Sequence, residues 1–144
     1  MIKEEKMIKS SQMFFRVFAV LLALCLAGEA LARTYIRKSG SIVAEIDGNY
    51  LRQHGAIVLE FDGKYVRQHG SILLEFDGKY VRQKGSIVAE IDGRYVRKSG
   101  AIVWEIDPSG KIRRHGSIVY EVSDYNDSLE LKRKVVAFLL LLAE

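Results

Sequence analysis

The sequence predicts an all-β repeat protein, on three observations. A 15-residue unit of the form Tyr-Val-Arg-x-x-Gly-Ser-Ile-Val-x-Glu-Ile-Asp-Gly-x occurs six times, beginning at Tyr35, Tyr50, Tyr65, Tyr80, Tyr95 and, with Ile112 in place of Tyr, near Lys111. Its apolar runs are rich in β-branched and aromatic residues, as strands prefer. Glycine-containing turn signals separate those runs at fixed positions. A period this short does not accommodate a helix-turn-helix unit or a propeller blade; it suits two short strands and two tight turns.

Ahead of the repeats, Met13 to Ala27 is an apolar run behind a Lys-bearing segment, and it is followed by Ala30-Leu31-Ala32, the small-x-small pattern of a cleavage site. Residues 1–32 therefore read as a signal peptide removed before Arg33. The run is shorter than the ~20 apolar residues that cross a bilayer core, and Arg16 shortens it further. Cys25, the single cysteine, lies inside it and follows Leu24, where lipoprotein processing requires a small residue. The mature chain then has no disulfide, thiol nucleophile or cysteine metal site. Export places it in the periplasm, at the cell surface or outside the cell.

Residues 33–123 form the six-repeat β-hairpin domain, about 110 residues with the tail and enough for one core. In each unit Tyr-Val-Arg is the first strand and Ser-Ile-Val-Leu-Glu-Phe, or a variant, the second. Gln68-His69-Gly70 and its copies read as three-residue loops; Asp62-Gly63, Asp77-Gly78 and Asp92-Gly93 read as two-residue hairpin loops, and only Asp107-Pro108-Ser109-Gly110 must turn differently. With those loops Phe61 opposes Lys64, Leu59 opposes Val66, and Val66 opposes Ile72. One face then collects Ile57, Leu59, Phe61, Val66, Ile72, Leu74 and Phe76, and the other Val58, Glu60, Tyr65, Arg67, Leu73 and Glu75. Curling the meander round an axis buries the first face and removes exposed edges. The second reads as a ladder of Glu–Arg ion pairs with a tyrosine alongside.

The run Tyr35-Ile36-Arg37-Lys38-Ser39-Gly40-Ser41-Ile42-Val43-Ala44-Glu45-Ile46 and its copies, behind a signal peptide and ahead of a Lys-rich apolar tail, resembles the bacterial 5-fold beta-flower proteins. The resemblance covers nearly the whole mature chain. It implies β-hairpin petals around a pseudo-rotational axis and supplies no established activity to carry over. Five complete hairpins flanked by two half units fit five-fold symmetry, and six repeats are also countable. Where those proteins usually have Gly after Ile-Val, this chain has Ala44, Leu59, Leu74, Ala89, Trp104 and Tyr120, which puts larger groups on the apolar face.

Residues 124–144 comprise a polar linker and an apolar C-terminal segment, expected to form a short helix. Its apolar stretch, Val135 to Ala143, is too short to span a membrane. It reads as a plug or lid on the β-domain, with two alternatives: docking into lipid with Lys132, Arg133 and Lys134 at the headgroups, or contact with another copy or partner.

The chemistry-bearing residues repeat with the scaffold. Asp47, Asp62, Asp77, Asp92 and Asp107 recur once per unit, and turn chemistry alone explains them. His54, His69 and His115 share a position filled elsewhere by Ser39, Lys84 and Ser99, a poor metal set. No nucleophile elbow, phosphate loop or zinc motif is present. No catalytic, cofactor or metal residue is therefore assigned. Trp104 and Tyr120 break the repeat, and with Phe138 they are the candidates for an interaction surface. The chain carries 22 basic against 18 acidic residues, spread evenly, which argues against a nucleic-acid partner. The expectation is an exported, non-enzymatic structural or interaction scaffold for a protein or surface ligand, capable of oligomerising; the alternative is a membrane-surface protein held by its C-terminal segment.

Overall fold

The structure is a computed structural model that describes residues 33–143, so the signal peptide and cleavage site read from residues 1–32 lie outside the described residues. From Arg33 the chain forms strands β1 (Arg33–Lys38), β2 (Ser41–Asp47), β3 (Tyr50–Gln53), β4 (Ala56–Asp62), β5 (Tyr65–Gln68), β6 (Ser71–Asp77), β7 (Tyr80–Gln83), β8 (Ser86–Asp92), β9 (Tyr95–Lys98), β10 (Ala101–Ile106), β11 (Lys111–Arg114) and β12 (Ser117–Val122), then helix α1 (Leu129–Leu141). Each strand pairs antiparallel with its neighbours, and β1 closes on β12, so the sheet is a barrel of twelve strands without an edge. At the seam Ile36 pairs with Val122, Ser123 N donates to Tyr35 O at 2.9 Å, and Tyr35 N donates to Ser123 Oγ at 2.9 Å. The two half units, β12 and β1, thus pair with each other, and the closed barrel counts six hairpins.

Two turn types alternate and define the ends of the barrel. At one end Ser39-Gly40, His54-Gly55, His69-Gly70, Lys84-Gly85, Ser99-Gly100 and His115-Gly116 have positive φ at both residues, between 49° and 82°. That is the type I′ pattern. The loop is His69-Gly70, with Gln68 paired to Ser71, and not the three residues expected from sequence. At the other end Gly48, Gly63, Gly78 and Gly93 have φ of 57–58°, and the residue after each does not share the positive φ. A glycine of positive φ followed by an ordinary residue is the type II′ pattern, so the loop is Gly63-Lys64 and Asp62 belongs to the strand, opposite Tyr65.

These shifts also change which side chains are inside. Val66 pairs with Leu74 but Arg67 pairs with Ile72, leaving Leu73 as an extra residue, a β-bulge. The bulge falls at the same place in each hairpin, and it reverses the facing of everything on the turn side of it. Leu59, Phe61, Val66, Leu74 and Phe76 do face inward, whereas Ile57 and Ile72, assigned to that face from the sequence, are 47% and 49% exposed on the outer wall. One bulge per hairpin also adds the twist that lets short strands close into a barrel.

The interior is filled by α1. Ser128 caps its N-terminus by accepting from Leu131 N, and Val135, Val136, Ala137, Phe138 and Leu139 are all buried within the barrel core. The plug reading of the tail therefore describes the fold: its apolar run is core.

Candidate functional site

The ends of the barrel carry its distinctive chemistry. At the type II′ end the three cations of the tail reach backward onto turn carbonyls. Lys132 Nζ donates to Gly93 O at 3.1 Å, an Arg133 Nη to Gly78 O at 3.2 Å, and Lys134 Nζ to Gly48 O at 2.8 Å. Lys132 also pairs with Asp127 at 3.1 Å, and that ion pair is the main reason the Asp127 carboxyl titrates below its usual range. Arg133 lies over the Phe76 ring and Lys134 over Phe61, at 5.5 and 5.7 Å. These are the residues the sequence offered to lipid headgroups; here they fasten α1 to the rim.

The Gly63 turn is the one II′ turn these cations leave untouched. There a cavity of about 400 Å³ opens between the rim and the first turns of α1, with Phe61, Phe76, Tyr65, Arg133 and Lys134 in its walls.

Inside the barrel Trp104, Tyr120 and Phe138 are brought together. The Tyr120 ring is 5.9 Å from Trp104 and meets Phe138 edge-on at 5.3 Å. All three are at most 5% exposed, so they pack the core and present no outer surface. Lys38 lies over the Tyr120 ring at 5.7 Å and Arg114 over Trp104 at 5.2 Å, which puts cations at the type I′ mouth, toward the C-terminal end of the helix dipole. The last turn of α1 supplies no basic residue of its own.

Most of the repeated charges are paired with one another. Arg67, Arg82 and Arg97 each donate through Nε to the strand-end carboxylate of Asp62, Asp77 and Asp92, at 3.1–3.2 Å, while Lys64 and Lys79 pair with Glu75 and Glu90 at 3.2 Å. Among the described residues the expected Glu–Arg ladder survives only as Arg33–Glu45 and Arg94–Glu105, at 3.2 and 3.5 Å; although Glu60 faces Arg67 in register, that arginine reaches diagonally to the turn aspartate. Asp107 is the most heavily engaged. Partial desolvation raises its pKa, but hydrogen bonds from Ser109, Arg113 and the backbone N–H groups of Lys111 and Ser109 outweigh that and hold the carboxyl at about 2. The carboxylates do not converge, and among the described residues no group of three or more His, Cys, Asp or Glu is placed to hold a metal ion. His54, His69 and His115 occupy the left-handed first position of separate type I′ turns.

The outer wall has one feature that sequence reasoning missed. Ile42, Ile57, Ile72, Ile87, Ile102 and Ile118, one per hairpin, stand 46–52% exposed beside the type I′ turns. From the arginine before each of these turns to the isoleucine after it there is no carboxylate, whereas Lys38, Lys84, Lys98 and Arg114 lie there. Recognising the bulge from sequence would have revealed this ring.

Fold and ends together define a class: a helix-plugged β-barrel built of repeated hairpins. No family model, curated protein or solved structure matches the chain.

Proposed function

We propose that the chain is exported and that the mature barrel is a non-enzymatic interaction scaffold. The observation that carries the reading is the ring of six half-exposed isoleucines beside turns that contain no carboxylate, left uncovered by every other element among the described residues. A monomeric soluble protein rarely leaves so regular an apolar feature in water without a partner. The pairing of most repeated carboxylates with a neighbouring cation, Glu45, Glu75, Glu90 and Glu105 among them, favours scaffold over catalyst. The signal-like residues 1–32 support export, and the resemblance to the beta-flower proteins points the same way. Contact through the C-terminal segment is disfavoured, since α1 would have to leave the core; partner contact belongs on the outer wall.

Cell fractionation with intact-mass measurement tests the reading. The expected product begins at Arg33 and is found outside the cytoplasm, and a photo-crosslinker replacing Ile72 captures a partner there. An unprocessed chain confined to the cytoplasm overturns the proposal.

A further inference from the structure

We propose that the rim cavity beside the Gly63 turn binds a small organic anion with an apolar, ring-sized body. This rests on the reading of the barrel as a binding scaffold and adds a second, small-molecule site to it. Four features meet at this place.

The first is a local break in the repeat. At the last inward position of the longer strand of each hairpin the chain has Ile46, Ile91, Ile106 and Val122, but Phe61 and Phe76 in the two strands nearest the cavity. The turn signals and strand lengths around them are unchanged, so the phenylalanines are a change of chemistry and not of fold. The second is the asymmetry of the tail. Its three cations engage the Gly48, Gly78 and Gly93 carbonyls and leave the Gly63 sector open, so the cavity is where the otherwise repeated rim is unfilled.

The third is unused donor capacity. A guanidinium has five N–H donors and an ammonium three. Among the described residues Arg133 has one hydrogen bond, to Gly78 O, and its buried Nε has no partner. Lys134 has two, to Gly48 O and Glu130, which leaves one donor. The only carboxylate in the wall is Glu130, already held by Lys134 at 3.1 Å. The wall therefore offers unused donors and a net positive charge, two cations against one carboxylate. A carboxylate supplies both acceptors and charge, and Arg is well shaped to take it through two parallel bonds.

The fourth is size and shape. About 400 Å³ lies at the lower end of the range of small-molecule sites, where apolar walls with a few placed polar groups are the rule. Phe61 and Phe76, 7% and 4% exposed beneath Lys134 and Arg133, make the floor apolar, and Tyr65 at the side adds a ring against which a ligand ring can pack. A bare inorganic anion would leave that floor wet, and a hydrocarbon would leave the cations unanswered.

The test uses the chain from Arg33 onward, which closes its own barrel, with 2-naphthoate as the probe and neutral 2-naphthamide as its control, followed by calorimetry and amide NMR shifts. The expected result is one-to-one, saturable naphthoate binding with a midpoint below about 1 mM. The amide binds at least tenfold more weakly, and shifts are confined to the Gly63 turn and residues 129–134. Phe61→Ile, which installs the residue the repeat uses elsewhere and so keeps the fold, weakens binding at least fivefold, as does Lys134→Met; Arg133→Gln weakens it at least tenfold. Trp104 fluorescence checks that each variant is folded, and if Arg133→Gln is not, the other two decide. Absence of binding at 10 mM, equal binding of the amide, or binding unchanged in Phe61→Ile and Lys134→Met overturns the proposal. The measurement is made on purified protein, so it stands or falls separately from processing and export in the cell.

Discussion

Replacing Phe138 by alanine probes whether the tail is a structural plug or a loosely held lid. Phe138 is 2% exposed, at the middle of the buried stretch of α1, and packs edge-to-face on Tyr120. Truncating a buried phenylalanine costs about 3–5 kcal/mol, the upper part of the range applying where the surroundings cannot collapse into the space. Here the surroundings are a closed sheet whose strands are hydrogen-bonded on both sides, so the wall cannot move inward. The expected loss is about 4 kcal/mol, of which about 1 kcal/mol is the aromatic pair with Tyr120. For a domain of this size that lowers Tm by roughly 15 °C. Thermal and urea unfolding followed by the fluorescence of Trp104, the only tryptophan, report it directly, with Leu129→Ala, 55% exposed, as a control expected within about 0.5 kcal/mol of the parent. A loss below about 1 kcal/mol for Phe138→Ala would refute the reasoning, because it would mean the barrel holds its own core without the helix.

Three further outcomes follow from the register, the turns and the charges. Leu74→Ala is expected to cost about 2–5 kcal/mol and Ile72→Ala under about 0.5 kcal/mol, although the two residues would share a face in a regular strand; equal losses in urea unfolding would remove the bulge from the account. Gly70→Ala meets nothing within 4 Å and costs only the left-handed backbone penalty of about 1–2 kcal/mol. Gly110→Ala would place its Cβ 2.5 Å from Val122 O and 2.8 Å from Tyr125 Cβ, so its midpoint should fall well below that of Gly70→Ala. Asp107, with its folded pKa depressed to about 2, contributes stability that is fully present above its ordinary pKa of 3.8 and lost as pH falls through about 2. The urea midpoints of the parent and Asp107→Asn should therefore differ by a constant amount above about pH 4 and converge toward pH 2; a gap independent of pH would contradict this.

Much of the scaffold was legible because turn chemistry and strand composition repeat: a glycine that must take positive φ marks each hairpin, and Ile-Val runs mark strands. The facing of Ile57 and Ile72 was not legible. A bulge residue such as Leu73 is as apolar as its neighbours, so nothing in its type marks the extra residue that reverses the pattern. Asp-Gly suits a type I′ loop as well as a strand end followed by a II′ turn; the choice shows only in the backbone, where Gly63 alone takes positive φ and Asp62 pairs with Tyr65. The nine-residue apolar tail showed that it needed a partner but not which one, since the barrel interior, lipid and a second copy all bury apolar surface. At the rim, Phe61 and Phe76 stood in the sequence as departures from Ile, but only closure of the barrel brings them beside Arg133 and Lys134, more than fifty residues away in the chain.

The central claim is that the C-terminal helix fills the closed barrel, and through-space proton contacts test it most directly. In a nuclear Overhauser spectrum of the chain from Arg33 onward, the Phe138 ring should show strong cross-peaks to the ring protons of Tyr120, and the amides of Val135 to Leu139 should exchange as slowly as those of the central strands. Rapid exchange at those amides, with no contact between Phe138 and Tyr120, would contradict it.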